Sequence, residues 1–224
     1  MDDPIGRLLK AKNDPLKLKD GGTANKWVLS SCLDLAFRTV EEGSAFIIEL
    51  DGSQGNSYYS RVFPTVRTAG GKALSVLIAK DLPVIKHLSE LDGATIIDRN
   101  GRLKEFGVTL KKESTVLGHG KRHAFAAGTS RAKNVICIVT SEEDKHVRVF
   151  RDGLCLAEFD ARTKVPMNLK HRVVDIVNNP LSRILVASGI ATSILTLNPI
   201  PAIVTITGSS VIVSYGFDRL KQLF

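Results

Sequence analysis

The order of the predicted elements points to an α/β domain, and three observations carry that reading. A helical stripe over 26–42 gives way through Gly43 to a short apolar run at 45–50. Two β runs meet at the Asn100-Gly101 turn, and two more meet at Asp152-Gly153. Between those hairpins lies 134–140, nearly all apolar, as a strand covered on both faces is. Helix and strand patterns alternating in this way build a layered domain.

Taken in chain order, Trp27, Leu29, Cys32, Leu33, Leu35, Ala36 and Val40 recur close to the helical period, with Asn25 as N-cap and Gly43 as the closing glycine. The run 45–50 follows as a buried strand and 51–56 as a loop. Residues 58–66 carry a short strand at most, and 73–78 are continuously apolar. Asp81 caps a helix with Pro83 in its first turn, which runs to about Leu91 and stops at Asp92-Gly93. Strands at 94–97 and 102–110 form a hairpin around Asn100-Gly101. A Lys-, Ser- and Gly-rich loop over 111–120 leads into a helix at 121–131, rich in small residues. The strand at 134–140, the turn at 141–145 and the hairpin 147–150/154–159 complete the pattern. The first 26 residues are expected to form a basic arm without a secretory leader, and 161–183 a connector.

Composition narrows the function classes. The chain has 224 residues, 43% of them apolar, and a mean hydropathy of +0.05, which allows one sizeable core and excludes a disordered tail protein. Three cysteines without close spacing exclude a disulfide-stapled scaffold and a zinc knuckle, and suit a reducing, cytoplasmic setting. A net charge of +8 favours anionic partners. Nine Lys/Arg against three Asp/Glu between Asp98 and Lys133 concentrate the surplus in the middle of the chain. Thirteen aromatics, none interleaved with the basic loop, argue against nucleic acid as the partner.

The last fifth has a different character. From Ile184 to Phe217 there are 34 residues without a charge, broken near the middle by Asn198-Pro199-Ile200-Pro201. Each arm is shorter than the ~20 residues that cross a bilayer upright. Basic residues flank the segment: Lys170, Arg172 and Arg183 before it, Arg219 and Lys221 after. Two readings of 184–224 stay open: a membrane hairpin with both ends on one side, or an element packed on the core or on another subunit.

Three polar clusters carry the chemistry. Asp92-Gly93-Ala94 sits where a helix meets a strand. Gly118-His119-Gly120-Lys121-Arg122-His123 is a glycine-rich basic loop entering a helix. Its backbone N–H groups and helix dipole suit phosphate oxygens, and Arg122 adds a two-pronged donor. Ser141-Glu142-Glu143 follows the most apolar strand. Asp92 with Glu142 or Glu143 could hold Mg²⁺, which takes one or two carboxylates and completes its shell with phosphate and water. Each cluster alone also fits an ordinary turn. No Walker sequence and no GxGxxG occurs.

Together, 91–97, Gly101-Arg102-Leu103, 117–127 and 139–143 resemble the diadenylate cyclase domain family, whose signatures are Asp-Gly-Ala, then Gly-Thr-Arg-His-Arg, then Ser-Glu-Glu. The resemblance covers about 27–160 in matching order and spacing. It implies a mixed β-sheet flanked by helices. It also implies condensation of two ATP into cyclic di-AMP with release of two pyrophosphates, with Mg²⁺ or Mn²⁺, across a face-to-face pair of domains in a homo-oligomer. Carried over, Asp92 binds metal and helps activate the 3′-hydroxyl. Gly93, Ala94, Gly120 and Lys121 line the nucleotide, Arg122 and His123 hold the triphosphate, and Ser141 and Glu142 sit by the phosphates and metal. Two positions depart from the pattern: Lys121 stands for the motif's Thr, and Ala124 for its second Arg. They leave open a rival reading, a nucleotide sensor of the same fold with little or no turnover.

Overall fold

A computed structural model describes residues 25–179, apart from 52–57, 65, 69, 112–120, 133 and 163–166. Residues 1–24 of the expected basic arm, Gly118, His119, Gly120 and the segment 184–224 lie outside the described residues.

Helix α1 spans Lys26–Arg38, and the Asn25 side chain accepts from the Trp27 N–H at 3.0 Å, as a cap should. It buries Val28, Leu29, Cys32, Leu33, Leu35 and Ala36. Each of the larger aliphatics contributes roughly 1.5–3 kcal/mol by leaving water. The helix ends earlier than its apolar spacing suggests. Thr39 is its C-cap, and the Thr39 hydroxyl turns back onto the Leu35 carbonyl at 3.0 Å. Gly43 is therefore not the closing glycine; it lies in the turn that enters β1, with φ +71°.

Strand β1 (Ala45–Glu49) pairs in parallel with β3 (Ala94–Asp98) and antiparallel with β5 (Val135–Thr140). β2 (Tyr59–Ser60) and β4 (Leu103–Leu110) extend one side; β6 (His146–Arg151) and β7 (Leu154–Asp160) extend the other. The result is one seven-stranded mixed sheet, in the order β2-β4-β3-β1-β5-β6-β7. A 3₁₀ turn at Ala79–Asp81 leads into α2 (Leu82–Ser89), and α3 spans Lys121–Ser130. Asp81 does not cap α2. Its carboxylate accepts instead from the Ser75 N–H at 3.0 Å, tying the helix entrance to the segment before it. The apolar 73–78 run is not a strand; only single bridges form there, at Ala73 and Ser75.

Period-two alternation divides the core between the two faces of the sheet. Phe46, Ile48, Ile97, Ile136, Ile138, Val147 and Val149 pack with α1 and α2. Ala45, Ile47, Ile96, Cys137 and Val139 pack with Ala126 and Ala127 of α3. The connector contains a helix the sequence reading did not anticipate, α4 (Met167–Asn178), which buries Val173, Val174 and Val177 against the first face. Arg151 of β6 donates to the Val177 carbonyl at 2.9 Å, placing a cation near that helix's C-terminus. Among the described residues, no helix is long and apolar enough to cross a membrane.

Candidate active site

Topology brings distant strand ends to one edge of the sheet. β1 and β3 run parallel, and β4 and β5 run against them. The starts of β1 and β3 therefore meet the ends of β4 and β5. At that edge lies a cavity of about 400 Å³, lined by Asp92, Gly93 and Ala94, by Lys121, Arg122, His123 and Phe125, and by Thr140, Ser141, Glu142 and Glu143. Ala45, Val108, Thr109 and Leu110 complete the wall. The described residues of all three polar clusters thus face one space. The volume falls within the ~300–1,000 Å³ usual for small-ligand sites.

Each wall has a local cause. Gly93 turns into β3 at φ +105°, and a Cβ there would come within 2.6 Å of the Gly107 carbonyl carbon and 2.8 Å of the Val108 oxygen. Only a glycine lets the Asp92 turn lie this close on β4, where the β3–β4 register is irregular. Asp92 itself is exposed at the rim. On the opposite wall, Arg122 lays its guanidinium across Gly43, occupying the place a Cβ would take. The Gly43 turn is thus a floor for Arg122. Buried hydroxyls anchor Thr140 of the lining: the Ser44 N–H donates to Thr140 Oγ1, and the Thr39 and Ser44 hydroxyls lie 2.6 Å apart. These side chains are buried, so β1 and β5 are fixed where they line the site.

His123 behaves differently from Arg122. It is buried, 5% exposed, and its Nε2 lies 2.8 Å from Nη1 of Arg148 on β6. A guanidinium only donates, so Nε2 accepts and the ring is neutral. His123 nevertheless lines the cavity, as the resemblance implies, with its Nε2 turned towards Arg148. Ala124, where the resemblance calls for arginine, is buried in α3.

Asp92 and Glu142 offer exposed carboxylate oxygens to the same cavity, and neither has an ion-pair partner among the described residues. Oxygen donors of this kind fit Mg²⁺ or Mn²⁺. A different trio, Asp144, His146 and Glu158, also brings ligand atoms within 4.8 Å of one another. Its carboxylates are already committed, since Arg148 bridges Asp144 and Glu158. Burial works against the Asp144 charge, but hydrogen bonds from Arg148 and Ser141, with the Arg148 charge, hold its carboxyl well below the usual range.

The family model for the DAC domain, described as DisA bacterial checkpoint controller nucleotide-binding, matches residues 43–155, just over half of the 224-residue chain. The chain belongs to this family. A curated diadenylate cyclase of Methanocaldococcus jannaschii is 38% identical over 84 residues, covering 36% of this chain and 27% of that protein. The matched region thus spans about a quarter of its relative. Two solved structures are more distant. A hypothetical membrane spanning protein from Bacillus cereus shares 18% identity over 58% of this chain and 60% of its own, with a TM-score of 0.44. A double mutant of DacA from Staphylococcus aureus shares 16% identity over 67% of this chain and 94% of its own, with a TM-score of 0.42.

The DAC-family match begins at Gly43, the residue under Arg122. Sequence reasoning took that glycine for a helix stop. It also passed over Arg148, because a single arginine in an alternating strand reads as a solvated side chain. The available signal was pairing: Arg148 and Glu158 face each other across the β6–β7 hairpin, so the two charges meet on one face.

Proposed function

We propose that this chain is a diadenylate cyclase, condensing two ATP into cyclic di-AMP and releasing two pyrophosphates. The observation that supports this reading most is the shared cavity. Residues 92–94, 121–123 and 140–143 are separated by up to 51 positions in sequence, yet line one space that holds both cations and carboxylates. A lining with charges of both signs suits a nucleoside triphosphate and its counter-cation better than any purely anionic or apolar ligand.

In this reading Gly93 and Ala94 present backbone groups to the nucleotide, and Arg122 grips phosphate oxygens with its fork. Lys121, exposed at the start of α3, adds charge, and Ser141 lies beside the phosphates. The resemblance also assigns Gly120, which precedes Lys121 in sequence, to the nucleotide. Asp92 and Glu142 would hold Mg²⁺ or Mn²⁺, which when bound polarises the phosphoryl group and steadies the leaving pyrophosphate. Asp92 also orients the attacking 3′-hydroxyl. The bond formed is 3′-oxygen to α-phosphorus, with the hydroxyl proton passing by way of Asp92 to water; the bond broken links the α-phosphorus to the bridging oxygen that leaves with pyrophosphate. No side-chain nucleophile takes part.

Each ATP supplies one nucleophile and one electrophile, so two such cavities must face each other in a homo-oligomer. Symmetry then aligns both reactions at once, and positioning of this kind lowers barriers by up to ~7–11 kcal/mol. The sensor reading draws on buried Ala124, which removes one guanidinium from the motif. Incubation of the purified protein with ATP and Mn²⁺ or Mg²⁺ separates the two. Cyclic dinucleotide in the product supports the enzyme, whereas saturable binding without product supports the sensor.

A further inference from the structure

The acidic and basic walls of the cavity meet on one buried side chain outside it. Arg148 is 4% exposed. Its Nε donates to Glu158 Oε1 at 2.8 Å, Nη1 donates to His123 Nε2 at 2.8 Å, and Nη2 donates to Asp144 Oδ2. His123 belongs to the first turn of α3, beside Arg122. Asp144 belongs to the turn that carries Ser141, Glu142 and Glu143, and its N–H reaches back to the Ser141 hydroxyl at 3.4 Å. Three donors of one rigid fork therefore engage β7, α3 and the acidic turn together.

We infer that Arg148 is a positioning residue, which locks His123 in the tautomer with its proton on Nδ1 and fixes the spacing between the α3 wall and the Ser141–Glu143 wall. The inference rests on the nucleotide reading of the cavity and adds a residue to it. The planar guanidinium suits this task. It cannot lose its proton, and its donors point in fixed directions. An ammonium at the same place is a point charge on a flexible stem and cannot hold three acceptors in one plane. Glu158, buried on β7, aims the fork from behind. His123 then acts as a shaped, neutral part of the wall, and phosphate charge falls to Arg122 and Lys121.

Two variants test this. Arg148→Lys retains the charge. Arg148→Met combined with Glu158→Gln removes the fork without leaving a buried carboxylate unpaired, so it keeps the fold accessible to measurement; circular dichroism verifies that. The direct readout is the ¹⁵N spectrum of the imidazole rings at neutral pH, with His123 assigned by its loss in His123→Gln. In the wild type, Nε2 of His123 reports as an unprotonated acceptor. The double variant shifts His123 towards the other tautomer, and in both variants kcat/KM for cyclic dinucleotide formation drops by roughly 10²-fold, the cost expected of a misplacement near 1 Å. A folded double variant with an unchanged His123 spectrum and unchanged kcat/KM overturns the inference. A shifted His123 spectrum in a protein whose wild type neither binds nor turns over ATP upholds the Arg148–His123 lock and overturns the nucleotide reading instead.

Discussion

Substituting Gly93 by alanine separates two costs that glycines commonly combine. The first is conformational. At φ +105° an L-residue sits in a region that costs about 1–2 kcal/mol. The second is steric. The new methyl would lie 2.6 Å from the Gly107 carbonyl carbon and 2.8 Å from the Val108 oxygen, both backbone atoms of a paired strand. Such atoms yield only by moving β4, and overpacking of this kind costs about 1–3 kcal/mol more. Gly71 is the control. It also has positive φ, at +72°, but nothing lies within 4 Å of its would-be Cβ. Both variants gain equally from a stiffer unfolded chain. The difference between them is chiefly the collision, about 2 kcal/mol, or roughly 4–8 °C in Tm for a domain of this size. Differential scanning calorimetry of both variants reads it directly. The same displacement moves the Asp92 turn, so Gly93→Ala should also weaken ATP binding while Gly71→Ala does not. Equal losses in Tm, or a Gly93→Ala protein as stable as wild type, would refute the close backbone approach that shapes this wall.

Other consequences follow from the packing. Arg122→Ala removes a charge-assisted contact of about 1.5–3 kcal/mol, so calorimetric titration should show ATP affinity lower by roughly tenfold or more; an unchanged titration removes Arg122 from the phosphate site. Cys32 and Cys137 are fully buried, and burial pushes both thiols far up, so a disulfide reagent should leave them untouched in the native protein and label them only in denaturant. Rapid native labelling of either would contradict the packing. The depressed Asp144 carboxyl contributes stability that is fully present above its unfolded value of about 4 and is lost as pH falls through the lower folded value. Asp144→Asn should therefore lower Tm at pH ~7 by more than at pH ~2.5; an equal deficit at both would dissociate Asp144 from acid sensitivity.

Much of the fold was legible because local rules and tertiary packing agree. The Asn25 cap and the Asn100-Gly101 and Asp152-Gly153 turns stand where the sequence puts them, as does the β5 core strand. Gly101 and Asp152 adopt the left-handed φ their turns need. Legibility failed where a residue's role depends on something far away. Gly43 looks like a helix stop until Arg122, 79 residues on, is laid across it. Asp81 looks like a cap until the Ser75 N–H claims it. Helix α4 was hidden by basic residues, although Val173, Val174 and Val177 have the spacing of a narrow apolar face. For the site, order and spacing were enough to nominate the three clusters. Their convergence depends on β1 and β3 running parallel while β4 and β5 return, a pairing that no local pattern specifies.

The acidic and basic side chains of this cavity act on ATP together. Asp92 is exposed and outside the core, so Asp92→Asn should fold like the wild type. Product analysis after incubation with ATP and Mn²⁺ or Mg²⁺ should give cyclic di-AMP and pyrophosphate from the wild type and neither from Asp92→Asn. Full turnover by the variant, or a wild type that yields no cyclic dinucleotide with either metal, would contradict it.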